Sequence, residues 1–161
     1  MEKSRIWHTV KPDKYDRALL YGLEAGKYRL ALKTPKDQII NIEYTRDKSK
    51  KKAAYKKSKA INLKSDIDSI YTSTEKAARW YKASVSSTKK RKAVTLSKDS
   101  VGGGFKFCVY QKGKRLKTVK VTKNDKVKTV KLPKKKGAYY VKVTKLTSKT
   151  TGAYYLGTYT Y

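Results

Sequence analysis

Few residues in this chain have the type and spacing that covalent chemistry demands. Cys108 and His8 are the single cysteine and single histidine, and they lie far apart in sequence. One thiol makes no intrachain disulfide, and one cysteine with one histidine falls short of a structural zinc site. Basic sequence neighbours could lower the Cys108 thiol pKa, but no base is paired with it. It falls on the strand face opposite Phe105 and Phe107 and reads as a small core or boundary residue. Asp66 and Asp68 have the spacing of a carboxylate pair or of two cation ligands, yet they match no recognised metal loop. They read as part of a polar loop entering a β region. Gly102-Gly103-Gly104 is followed by no Gly-Lys-Ser/Thr and by no helix, so it reads as a flexible connection, not a phosphate cradle. No acid–base pair or activated nucleophile assembles, so the expectation is a non-enzyme with no cofactor and no metal.

The chemistry that remains is electrostatic. The net charge is +30. Residues 76–161 hold 24 lysines and arginines against two acids, whereas residues 1–75 hold 18 against ten. Self-repulsion on this scale costs stability unless the charges are solvated or meet an anion. Three groups stand out: Lys89, Lys90, Arg91 and Lys92; then Lys117, Lys120, Lys123, Lys126, Lys128 and Lys131 on two successive strand patterns; then Lys134, Lys135 and Lys136. If the two strands form a hairpin, part of the middle group shares one face. Lysine is a point charge without a planar fork, which suits diffuse attraction to a repeating polyanion better than readout of a particular sequence. The competing reading is a solubilising coat that also guards strand edges. Tyr110, Tyr140 and Tyr155 are candidate aromatic contacts beside these lysines.

Those side chains must be positioned by strands. Phe105, Phe107 and Val109 alternate with Lys106, Cys108 and Tyr110, and Tyr139, Val141 and Val143 alternate with Tyr140, Lys142 and Thr144. Period-two patterns predict strands at 68–73, 79–86, 91–98, 104–111, 116–122, 127–132, 138–145 and 153–159, an all-β sandwich. The division predicted is residues 1–45 as N-terminal strands, 46–61 as a basic, solvated linker, and 62–161 as the sandwich module. Tyr28, Leu30 and Leu32, then Ile40, Ile42 and Tyr44, carry the alternation of the first part. Gly26-Lys27-Tyr28-Arg29-Leu30-Ala31-Leu32 repeats Gly137-Ala138-Tyr139-Tyr140-Val141-Lys142-Val143 as Gly-x-Tyr-x-aliphatic-x-aliphatic, so residues 18–45 read as the tail of a preceding module. Met1–His8 contains no apolar signal-peptide core, and no stretch approaches the about 20 apolar residues of a membrane span.

Arg79-Trp80-Tyr81-Lys82, Phe105–Tyr110 followed by Lys112-Gly113-Lys114, Val127–Pro133, Gly137–Val143 and Thr151–Leu156 together resemble the bacterial pre-peptidase C-terminal-type domain. The resemblance covers roughly residues 62–161, with a partial copy at 18–45. It implies an antiparallel, jelly-roll-like sandwich of about eight strands, here with extra N-terminal strands. It also implies a secreted or surface bacterial protein in which such modules are often appended to enzymes. Acids are nearly absent after residue 75, which does not match the calcium sites of related collagen-binding modules.

The function expected is a non-catalytic, basic binding module that anchors to an anionic polymer: wall teichoic acid, an acidic glycan or extracellular DNA. The alternative is protein–protein scaffolding with a sibling module or an appended enzyme, the lysines being a coat. Intracellular nucleic-acid binding fits the charge but lacks a helix-turn-helix, RNA-recognition motif or finger.

Overall fold

A computed structural model of the chain describes residues 22–23, 27–33, 39–43, 53–64, 66–72, 75–98, 103–122 and 124–161. All eight strands expected from the alternation are present, as β2 (Ile67–Tyr71), β3 (Arg79–Val85), β4 (Lys92–Lys98), β5 (Phe105–Gln111), β6 (Lys114–Val121), β7 (Val127–Lys131), β8 (Gly137–Lys145) and β9 (Gly152–Thr160). A two-residue strand, β1 (Ile61–Asn62), precedes them.

Two sheets are stacked, one ordered β1-β3-β8-β5-β6 and the other β2-β9-β4-β7. The antiparallel pairs nest: β5·β6 lies innermost, then β4·β7, β3·β8 and β2·β9. Successive pairs fall in opposite sheets, which is a long hairpin rolled into a jelly roll. The hairpin tip is the two-residue turn Lys112-Gly113, with φ of 48° and 80°. Two positive φ values define a type I′ turn, whose twist matches the flanking strands.

Between the sheets lies a core built from the inward half of each alternation. Phe105, Phe107 and Val109 on β5, Tyr139, Val141 and Val143 on β8, Tyr154 and Leu156 on β9, and Val94 and Leu96 on β4 are all buried. Tyrosine does much of the filling because its ring gives large apolar area, provided the hydroxyl is satisfied. Here it is: the Tyr81 and Tyr154 hydroxyls bond each other, Ser69 Oγ lies 3.0 Å from the Tyr81 hydroxyl, and Tyr71 donates to the Ala77 carbonyl. Arg79 closes this end, forking onto Glu75 through Nε and Nη2 at 2.7 Å each, with its guanidinium 4.7 Å from the Tyr71 ring centre.

Two departures from the sequence reading concern residues before β2. Residues 27–33 and 39–43 form no strand, and Leu30, Leu32 and Ile42 are exposed. Alternation becomes a strand only where a neighbouring ladder satisfies its backbone. The second half of the expected linker, by contrast, packs on the sandwich. Ala54 is buried, its carbonyl accepts from Trp80 N–H at 2.8 Å, and a short 3-10 turn at Lys57–Lys59 leads into β1, which runs parallel to β3. Residues 22–23 also reach the sandwich: the Gly22 carbonyl accepts from the buried Thr151 hydroxyl at 2.9 Å.

Candidate polyanion-binding site

Strand registers decide where the charges gather. Val85 at the end of β3 pairs with Gly137 at the start of β8, Lys92 at the start of β4 with Thr160 near the end of β9, and Gln111 with Lys114 across the hairpin tip. Ala93 pairs with Lys131 at the end of β7. The β3–β4 loop, the β5–β6 turn and the β7–β8 loop therefore open at one end of the sandwich. That end carries Lys89, Lys90, Arg91, Lys92, Lys112, Lys114, Lys131, Lys134, Lys135 and Lys136, and none of its connecting segments contains an aspartate or glutamate.

Its loops are held by hydrogen bonds to the strand ends and to the core. Arg91 and Tyr161 exchange backbone hydrogen bonds at 3.0 and 2.9 Å, and Leu132 N–H donates to the Lys92 carbonyl at 2.8 Å. From the core, the Tyr139 hydroxyl reaches the Lys135 carbonyl at 2.9 Å. Burial pushes the Tyr139 phenol pKa up, so it stays a neutral donor. Lys92 is partly tied down by the Ser84 carbonyl at 2.8 Å, whereas the side chains of 134–136 are exposed. Lysines on backbone fixed in this way converge their fields without the entropy loss of ordering a loop.

The first and last lysine groups of the sequence reading thus meet, together with Lys131. The middle group does not form the expected hairpin face. β6 pairs only with β5 and β7 only with β4, so Lys117 and Lys120 edge one sheet while Lys128 edges the other. The chain crosses between sheets from β6 to β7, as a rolled hairpin requires. Lys128 is also engaged by Asp125 at 2.7 Å. Its hydrogen bond, then those from the Thr122 hydroxyl and backbone, hold the Asp125 carboxyl well below the usual range. Lys126 lies at the opposite end, and Lys123 lies outside the described residues.

The aromatic candidates separate too. Tyr110 and Tyr140 pair across β5 and β8 on the outer face of the five-stranded sheet. Trp80, on β3, joins them with its ring centre 5.6 Å from that of Tyr110. The Lys142 ammonium lies 5.5 Å from the Trp80 ring centre, and the Lys57 ammonium, from the expected linker, 4.7 Å from that of Tyr140. Burial first, then the neighbouring Cys108 thiol, raises the Tyr110 phenol pKa. Cys108 is buried on this outer face, 3.4 Å from the Thr118 hydroxyl. Tyr155 is on the other sheet, and its phenol pKa is raised chiefly by a hydrogen bond with Asp66. Asp68 pairs with it in register. An anion is repelled there, so Tyr155 does not belong with the basic end. Among the described residues no group of three His, Cys, Asp or Glu side chains is placed to hold a metal ion, and no helix is long and apolar enough to cross a membrane.

Fold and charge together define a strongly basic jelly-roll-like β-sandwich. Among solved structures it is similar to the pre-peptidase C-terminal domain of a collagenase from Bacillus anthracis, the same kind of domain that the sequence resembles. That similarity has a TM-score of 0.47 at 17% identity and covers 62% of this chain and 92% of that one. No family model matches the chain, and no curated protein matches it.

Proposed function

We propose that this chain is a non-catalytic module that anchors a secreted or surface bacterial protein to an anionic polymer through the basic end of the sandwich. The observation that carries the reading is the convergence of three connecting segments, rich in lysine and free of aspartate and glutamate, at one end. A solubilising coat has no need of such convergence. Wall teichoic acid, an acidic glycan and extracellular DNA all present the repeating charge that lysines attract without sequence readout. The extracellular setting follows the family resemblance of residues 62–161.

The test is sedimentation with purified Gram-positive walls at physiological salt, with and without teichoic acid, and with duplex DNA as competitor. Retention that depends on an anionic wall polymer and falls with salt supports the reading. No retention on either wall, or retention insensitive to salt, overturns it.

One observation favours a second reading, docking to a sibling module or an appended enzyme: Leu30, Leu32, Ile39 and Ile42 are exposed at large apolar positions. That reading expects salt-insensitive association that is lost when residues 27–43 are replaced by a polar sequence.

A further inference from the structure

The outer face of the five-stranded sheet combines rings and charge in a way the basic end does not. Registers place Trp80 beside Lys142 and Cys108 in one row, and Lys82, Tyr140 and Tyr110 in the next. Trp80, Tyr110 and Tyr140 are each half-buried, so their faces are fixed by the sheet and still meet solvent. An ammonium is already stationed over two of the three rings, Lys142 over Trp80 and Lys57 over Tyr140. The strand positions of this face carry no aspartate or glutamate. Rings alone would suit any apolar partner, and cations alone any anion. Rings with a cation within 6 Å suit a unit having both a C–H face and a negative group attached to the same ring.

We propose that this face is a subsite for the sugar rings of an acidic glycan, and hence that the anionic polymer is a polysaccharide bearing carboxylates rather than a ringless polyphosphate. The inference rests on the polyanion reading and narrows it. A pyranose that displaces the ammonium from the ring face lays its C–H side on Trp80 or Tyr140 and takes the freed Lys142 or Lys57 ammonium on its carboxylate. Trp80 on β3 and Tyr110 on β5 lean over the intervening β8 until their ring centres lie 5.6 Å apart, so the two rings offer one joined contact surface. A stacked nucleic-acid strand is the poorer fit because the Trp80 and Tyr110 planes are tilted by 45°, whereas C–H faces tolerate tilt.

The experiment titrates the full chain with three soluble probes: polyglucuronate, inorganic polyphosphate and single-stranded oligothymidylate. It compares the wild type with Trp80→Leu and Tyr140→Leu, which keep apolar bulk, and with Lys134, Lys135 and Lys136 all changed to Gln. Tryptophan fluorescence in a Trp7→Phe background reports on Trp80 alone, since the chain has two tryptophans. Loss of an aromatic contact face implies a roughly fivefold loss on polyglucuronate for each leucine variant, with polyphosphate binding unchanged. The Trp80 emission should respond to polyglucuronate alone, and the glutamine variant should weaken both polymers. Leucine variants that weaken both polymers equally, or neither, together with a silent Trp80, overturn the subsite while leaving the basic end intact. A larger fluorescence response and a larger leucine effect on oligothymidylate assign the face to single-stranded nucleic acid and overturn the glycan. A wild type that binds no probe overturns both this inference and the polyanion reading.

Discussion

Changing Lys134, Lys135 and Lys136 together to glutamine removes three exposed cations from the basic end while sparing what holds the loop. The Tyr139 hydroxyl bonds the backbone carbonyl of Lys135, which the substitution keeps. On duplex DNA, used as a calibrated polyanion, each neutralised phosphate contributes about 0.9 to the slope of log K against log salt. If each lysine faces a phosphate, the slope magnitude falls by about 2.7. At about 0.15 M salt that corresponds to roughly two decades of affinity, or about 3 kcal/mol. The assay is fluorescence anisotropy of a short labelled duplex across a salt series. A matched variant, Lys120, Lys126 and Lys149 to glutamine, removes the same charge away from the basic end. The expected result is a large loss of slope for the first variant and a small one for the second. Equal losses would refute the reasoning, because the field would then be a property of net charge and not of the converging loops.

Gly22 tests whether the N-terminal region is fastened to the sandwich. Its φ is +79°, and a Cβ there would stand 2.4 Å from Thr151 Oγ1 and 2.6 Å from the Tyr71 carbonyl. Gly22→Val should lower the melting temperature, and an unchanged melting temperature would mean that this contact contributes nothing. Lys112 occupies a left-handed turn position, which disfavours a side chain by about 1 kcal/mol; Lys112→Asn, a residue suited to that turn, should raise the melting temperature by a few degrees by calorimetry. Burial drives the Tyr154 phenol pKa well above its ordinary value of 10.0. The unfolded chain therefore releases that proton first, and stability present below about pH 10 is lost as pH rises, at up to about 1.4 kcal/mol per pH unit for one group. Tyr154→Phe should cost about 1–2 kcal/mol at neutral pH and flatten the alkaline decline in urea titrations, and a decline of unchanged steepness would remove Tyr154 as its source.

The strands are legible because apolar side chains recur at every second position; Phe105, Phe107 and Val109 announce β5 and its core face without help. Cys108 landed on the expected face for the same reason. What alternation cannot express is which strands become neighbours. Nothing local separates β6 from β7, two lysine-studded strands joined by a short turn, yet one edges each sheet. A hairpin face was therefore expected where the rolled topology leaves two edges. Trp80 is visible as an aromatic, but its meeting with Tyr110 depends on β8 lying between β3 and β5. Lys57 was hidden among low-complexity lysines, with Ala54, a small buried residue, the slightest of signals that the segment is anchored. Leu30, Leu32 and Ile42 show the reverse: their period of two forms no strand among the described residues.

The nested pairing has a bearing on how the molecule comes into being. β9 is the interior strand of its sheet, flanked by β2 and β4, and β8 likewise lies between β3 and β5. During synthesis from the N-terminus, β2, β3 and β4 emerge long before the strands that will cover them. Only the short hairpin β5·β6 can close early, while β2·β9 joins positions as distant as Ile67 and Leu156. Such non-local closure is slow, on the order of milliseconds to seconds. A nascent chain of this kind stays open until its last strands arrive, and the basic Lys89-Lys90-Arg91-Lys92 run between β3 and β4 repels a second nascent copy. The charge that would hold the finished module to its polymer would first act as its own chaperone.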